Sequence, residues 1–302
     1  MLLLKFFNDQ NWRKQQIRYW VLDPFWGGLD FCCYFLFRWM PLDVPSRIGA
    51  FLGQHAAFRF KKANERARKN LKFLKPELTE EHIEQHLVQM WRNIGTTMSE
   101  YSIADLLWKD GRVTVENSHY VTESRLQGRP LIIVTGHFAN WEVISGYCID
   151  HNIALLSLYQ PERNRFVAKI ADMSRRRIGT ETVAAGGNAL RIMCKHLQKG
   201  GALWFAIDEY KDRQVCMPSL GRDINLQTTN AAYAVRLAQR FNAVIIPYIT
   251  ERKPFSHFKV TVCEPLNVTD NPDDTLRQLD QLVESWVRAD AENWYMLHEM
   301  RL

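Results

Sequence analysis

From Gly111 onward the chain alternates short apolar runs with stretches of helical periodicity, and this constrains the fold more than any other feature. The runs Leu131–Thr135, Ala154–Leu158, Thr182–Ala185, Ala202–Ile207, Val244–Ile249 and Lys259–Cys263 have strand length. Helical stretches lie near residues 140–150, 163–178, 188–199 and 228–241, with a last one near 272–291. Strand and helix in turn predict a layered α/β core with a mostly parallel central sheet flanked by helices. In "ESRLQGRPLIIV" a helix meets Gly128 as its stop and a buried strand follows.

Residues 1–110 read as helical instead. "PSRIGAFLGQHAAFRFKKANERARKNLKFL" carries apolar residues at spacings of three and four. Thr79 then caps a second long stretch, with Glu80 and Glu81 suited to a helix N-terminus. His82 stands where a full capping box would place an acid or Gln. We therefore expect a helical N-terminal region, 1–110, ahead of an α/β catalytic domain, 111–302, the two forming one compact unit.

The segment from Ile17 to Leu42, "IRYWVLDPFWGGLDFCCYFLFRWMPL", is dense in aromatic residues. Asp23, Pro24 and Asp30 interrupt it, and Phe31–Phe37 is far too short to span a bilayer. Flanked by Lys5, Arg18 and Arg38, such a helix suits the lipid interface, so the N-terminal part is expected to be membrane-associated. No small-residue cleavage site follows a basic start, so no secretory leader is expected. The net charge of +6 favours acidic partners or an anionic membrane surface. No nucleic-acid motif is present, so nucleic acid is not expected as a partner. Six scattered cysteines without a C-x-x-C pair read as reduced thiols of a cytosol-facing protein.

One stretch carries chemistry. In "IVTGHFANWEV" an apolar strand stops at Gly136, and His137 stands just past its carboxyl end, where open α/β sheets place ligands. Glu142 follows five positions later in the first turn of a helix that Asn140 or its loop begins. Five is a poor spacing for one helix face. Across a bend, however, it lets Glu142 fold back onto one imidazole nitrogen and leave the other to take a proton. Asp208 also ends a strand. It is either a second group aimed at the site or an ordinary turn residue. His82 and His86 lack a third ligand, and no metal is expected.

These residues resemble a known family. "GHFANWE" is similar to the H-x-x-x-x-D/E motif of glycerolipid-type acyltransferases and, more closely, to G-H-x-G-N-W-E of the bacterial lipid A late acyltransferases, with Ala139 where Gly is usual. "RARKNL", "SRRRIG", "GALWFAIDEYKDR" and "TTNAAYAVRLAQRFNAVIIP" resemble further family elements in the same order. The C-terminal "ENWYMLHEMRL" resembles Q-Y-x-W-x-H-R but departs from it at Asn293, Trp294, Met296 and Glu299.

The resemblance implies that His137 takes a proton from a lipid hydroxyl, held by Glu142, while that hydroxyl attacks the thioester of an acyl carrier protein. Arg175 or Arg176 is then the candidate for the oxyanion or a phosphate, whereas Arg177 reads as a solvated face. Asn140, Asp208 and Arg213 are candidates for acceptor binding or support. The implied partners are acyl carrier protein, a lipid A precursor and inner-membrane lipids, at the cytoplasmic face of a bacterial inner membrane. No cofactor is required. The rival readings are the same chemistry on another glycolipid or an aminolipid, and a catalytically silent lipid-binding protein.

Overall fold

The computed structural model describes residues 9–160, 164–211, 214–268 and 271–302. Its centre is a seven-stranded sheet in the order β1-β9-β8-β2-β5-β3-β4. The strands are β1 (Val113–Glu116), β2 (Leu131–Thr135), β3 (Leu155–Tyr159), β4 (Glu181–Ala184), β5 (Ala202–Ala206), β8 (Val244–Lys253) and β9 (His257–Val262). A small antiparallel pair, β6 (Tyr210–Lys211) and β7 (Gln214–Val215), stands apart. Only the β8–β9 pairing breaks the parallel run of the main sheet.

The expected strands all form. β8 runs on past Ile249 to Lys253 because its polar end pairs antiparallel with β9, Lys253 opposite His257. β1 was not anticipated, since four half-exposed residues at a sheet edge leave little apolar signal.

Alternation along the strands sends side chains into two layers. Ile132, Val134, Leu203, Phe205 and Ile245 face one core, shared with Leu71, Ile83, Val235 and Leu279. Those partners come from α4 (Lys61–Leu74), α5 (Glu80–Glu100), α11 (Asn230–Phe241) and α12 (Pro272–Ala289). Leu131, Ile133, Trp204, Val244 and Ile246 face the other core, with Leu107, Val121 and Ile144. These belong to α6 (Ala104–Lys109), α7 (His119–Leu126) and α8 (Ile144–Asp150). Each such side chain contributes about 1.5–3 kcal/mol on burial.

The N-terminal region is helical, as expected, beginning with α1 (Gln10–Ile17), α2 (Asp23–Arg38) and α3 (Asp43–Ala56). Between α3 and α4 the chain breaks at a 3-10 turn, Ala57–Arg59, where continuous periodicity had suggested helix. The Ala57 carbonyl accepts from the Phe60 N–H and from the Asn64 side chain at 2.9 Å, and Phe60 stacks on Trp91. Thr79 caps α5 by accepting from the backbone N–H of His82.

Helix α2 packs against α9 (Arg165–Arg177), the two so close that a Cβ on Gly27 would lie 2.3 Å from that of Phe166. Cations of α9 sit over N-terminal rings: Arg165 over Tyr19 at 3.9 Å, Lys169 over Phe31 at 6.0 Å and Arg177 over Tyr34 at 5.3 Å. Arg177 also donates to the Tyr34 hydroxyl while remaining exposed, in keeping with its reading as a solvated face. The opposite side of this region exposes Trp20, Phe25, Trp26, Leu36 and Trp39, the last 88 % exposed. Among the described residues no helix is long and apolar enough to cross a membrane. All six cysteines are free thiols.

The C-terminal segment is tied down by α4. Asn70 donates to the carbonyls of Leu297 and Met300, and Arg66 to that of His298. This is the physical work of the "RARKNL" element. His298 is buried here, and burial pushes its pKa down to about 4 from an ordinary 6.5. Its 3.5 Å contact with Glu299 is therefore not an ion pair at neutral pH. A folded state that refuses a proton the unfolded chain accepts loses stability as pH falls from 6.5 towards 4. We expect His298 to remove about 2 kcal/mol between pH 7 and pH 5. Urea unfolding of wild type and His298→Gln at both pH values checks this; an equal loss in the two proteins would contradict it.

Candidate active site

Parallel neighbours β2 and β5 end side by side, and the Ile207 N–H donates to the Thr135 carbonyl just beyond them. This register brings His137 and Asp208 together, although they lie 71 positions apart. The His137 backbone N–H donates to Asp208 Oδ2 at 2.7 Å, and the ring Nδ1 lies 2.7 Å from Oδ1. The close approach needs Gly136, since a Cβ there would come within 3.1 Å of Oδ2 and 2.9 Å of the Phe138 ring.

Asp208 is fully buried, and an ionised carboxylate only accepts hydrogen bonds, so the network assigns the proton to Nδ1 of His137. Nε2 has no hydrogen-bond partner among the described residues, and the side chain is 18 % exposed. A fixed tautomer with one nitrogen left unpaired on a partly exposed ring is the arrangement a general base requires.

The C-terminal segment closes round this pair. Trp294, wholly buried, donates its indole N–H to Asp208 Oδ2 at 2.7 Å. The segment bridges Phe138 in strand-like fashion; the Tyr295 N–H donates to the His137 carbonyl and the Ala139 N–H to that of Asn293. Trp141 meets the imidazole edge-on at 4.6 Å, and Tyr295 lies 6.3 Å from it. Beneath, the Tyr248 hydroxyl donates to the Trp141 carbonyl. Burial pushes that phenol well above its ordinary pKa, so it stays a donor.

Glu142 does not hold His137. Asn140 caps a 3-10 turn, Trp141–Val143, by accepting from the Glu142 N–H, and this turn sends the carboxylate to α9 instead. There Arg175 donates Nε and Nη2 to Glu142 Oε1 at 2.9 and 2.7 Å. The pair is buried, with side chains 13 % and 4 % exposed. Burial opposes the guanidinium charge, yet Glu142 beside it outweighs that and raises the Arg175 pKa above its ordinary value. The expected Glu142–His137 bond is thus replaced by Asp208–His137, because a five-residue spacing through this turn cannot return to the ring.

Of the other expected residues, Asn140 is interior, its amide donating to the buried Glu100. Glu100 also pairs with Arg252, which bonds Thr97, which donates to the Ala139 carbonyl. Arg176 points outward to Asp172 and is 73 % exposed, whereas Arg175 is turned inward against Glu142. Arg213 lies outside the described residues. Sequence reasoning missed Trp294, Tyr295 and the Glu100–Arg252 pair. The sequence signal for Trp294 was its place in the C-terminal motif.

Ala139 sits at φ 48°, a left-handed conformation that costs an L side chain about 1–2 kcal/mol. Ala139→Gly is expected to stabilise the protein by about 1 kcal/mol after the unfolded chain's gain in freedom is subtracted. Thermal unfolding measures it; a lower midpoint would refute the strain.

The α/β scaffold thus presents a carboxylate-held histidine at adjacent strand ends, with a buried arginine–glutamate pair joining the following turn to α9. The family model for bacterial lipid A biosynthesis acyltransferases matches residues 9–301, and the chain belongs to that family. It is an acyltransferase. Relatives include the lipid A biosynthesis palmitoleoyltransferase of Escherichia coli (strain K12), 24 % identical over 93 % of this chain and 90 % of its own. A lipid A biosynthesis acyltransferase of Haemophilus influenzae is 26 % identical over 93 % and 90 %, and the E. coli lauroyltransferase 23 % over 93 % and 91 %.

Proposed function

We propose that this enzyme transfers a fatty acyl chain from an acyl carrier protein thioester to a hydroxyl of a lipid A precursor, at the cytoplasmic face of a bacterial inner membrane. The observation that carries the reading is the His137 ring, fixed at Nδ1 by Asp208 with Nε2 free. Nε2 takes the hydroxyl proton as the oxygen attacks the thioester carbonyl. The tetrahedral oxyanion collapses, the C–S bond breaks, and the proton passes from Nε2 to the leaving thiolate. The products are an ester and a free carrier thiol. No hydroxyl or thiol side chain bonds His137 among the described residues, which suits direct attack by the acceptor over an acyl-enzyme. Arg175, kept charged by Glu142, is the candidate for stabilising the oxyanion or an acceptor phosphate.

The names of the relatives support the acceptor. The exposed aromatic surface of α1–α2 supports interfacial binding, its rings suited to the headgroup level. Arg59, Lys61 and Lys62, beside the exposed Phe58 and Phe60, are suited to anionic headgroups.

The test incubates membranes containing the enzyme with acyl carrier protein donors and a tetra- or penta-acylated lipid A precursor, read by mass spectrometry. Since relatives of similar identity are named for palmitoleoyl and lauroyl chains, the donor panel includes both. A mass gain of one acyl chain is expected. Donor hydrolysis without transfer would overturn the acceptor, and no turnover of any donor would overturn the carrier.

A further inference from the structure

We infer that Trp294 is a positioning residue for the reaction: its indole N–H sets the orientation and basicity of Asp208, and through Asp208 those of His137. The inference rests on the reading of His137 as the base. Its footing is geometric. Asp208 has no exposure to water, so its oxygens depend on protein donors alone. Oδ1 faces the imidazole; Oδ2 accepts the His137 backbone N–H and the Trp294 indole, each at 2.7 Å. The backbone bond fixes one edge of the carboxylate. The indole bond stops it from rotating about that edge and draws charge towards Oδ2, away from the oxygen that faces the ring.

Trp294 is itself locked. It is wholly buried, stacks on Phe138 at 6.5 Å and pairs with that residue's backbone in an isolated bridge. Asn70 and Arg66 of α4 hold the segment a few residues on. The donor therefore sits on a rigid support that reaches the site from the end of the chain.

Of the charged and titratable groups on the elements packed here, Asp208 and Tyr295 face the His137 ring; Glu209 bonds Asn230, Glu142 pairs with Arg175 of α9, His298 meets Tyr295, and Tyr248 of β8 bonds the Trp141 carbonyl. Trp294→Phe alters none of them directly. It keeps an aromatic ring but removes the donor to Asp208 together with part of the buried indole volume, so the pH limb and the double variant, rather than the loss of rate, separate the two effects. Without that donor more negative charge rests on Oδ1, which favours the imidazolium. The base then loses its proton at higher pH.

The experiment measures kcat/KM against pH for transfer from an acyl carrier protein thioester to the lipid A precursor, with wild type, Trp294→Phe, Asp208→Asn and the double variant. For Trp294→Phe we expect about a tenfold loss and an acid limb displaced upward by about half a unit. In the Asp208→Asn background the same change should cost less than about twofold, because its route to His137 is already cut. A loss with the limb unmoved, or the full loss repeated on Asp208→Asn, would mean a purely structural role and overturn the inference. If Trp294→Phe fails to fold, Trp294→Tyr replaces it; a retained donor should leave the limb in place, and a displaced limb would count against us. His137→Ala separates the two levels. If it remains active, the reading of the base fails; if it is inactive while Trp294→Phe matches wild type, only this inference fails.

Discussion

His137→Ala is expected to keep its fold and to lose acyl transfer by about 10²–10⁴-fold, the range for removing a positioned general base. The ring is partly exposed, and its main anchor is a bond to Asp208, so its loss costs little packing. Asp208→Asn should come close to the same loss. An amide can present its N–H to Nδ1 and stabilise the tautomer whose proton is on Nε2, where it blocks proton uptake from the acceptor. Glu142→Gln should lose less than Asp208→Asn. The reverse order, with Glu142→Gln the more damaged enzyme, would restore Glu142 as the partner of the base. Steady-state rates on the three variants, with circular dichroism to confirm folding, decide between the two.

The second large effect is on stability. Glu142→Ala leaves the Arg175 guanidinium buried without its carboxylate, and breaking such a pair from one side costs about 3–5 kcal/mol. Arg175→Met with Glu142→Gln, which removes both charges and roughly keeps volume, should recover most of that stability while transfer stays low. Urea midpoints measure the first part and the transfer assay the second. If the double variant were as unstable as Glu142→Ala, the unpaired charge would not be the cause. If it transferred at the wild-type rate, Arg175 would have no part in the chemistry.

Much of the fold was legible because its signals are local. Apolar runs of five or so residues between helical stretches marked β2, β3 and β5, and Thr79 announced α5 by its hydroxyl. His137 was legible for the same reason: a strand that stops at glycine before a histidine says where the ring must project. What the sequence hid is adjacency. Asp208 was visible as a strand end, but nothing local says that β5 lies beside β2. Glu142 was near in sequence and drew the assignment that Asp208 holds in space. The break at Ala57–Phe60 was hidden too, since it depends on Trp91 waiting for Phe60 in a later helix. Trp294 entered the site from the far end of the chain, where only a motif, and no periodicity, marked it.

The row of cations that α9 lays over the N-terminal rings bears on how the protein can be handled. Trimming the chain through α2 would remove much of its greasy surface and make it easier to dissolve. It would also strip Tyr19, Phe31 and Tyr34 from beneath Arg165, Lys169 and Arg177, and open a gap beside Phe166 where Gly27 packs. The helix left without that support is the one that delivers Arg175 to Glu142. Solubility gained at one end of the molecule would thus be exchanged for slack in the reaction centre, and shortened forms will have to be judged by turnover rather than by yield.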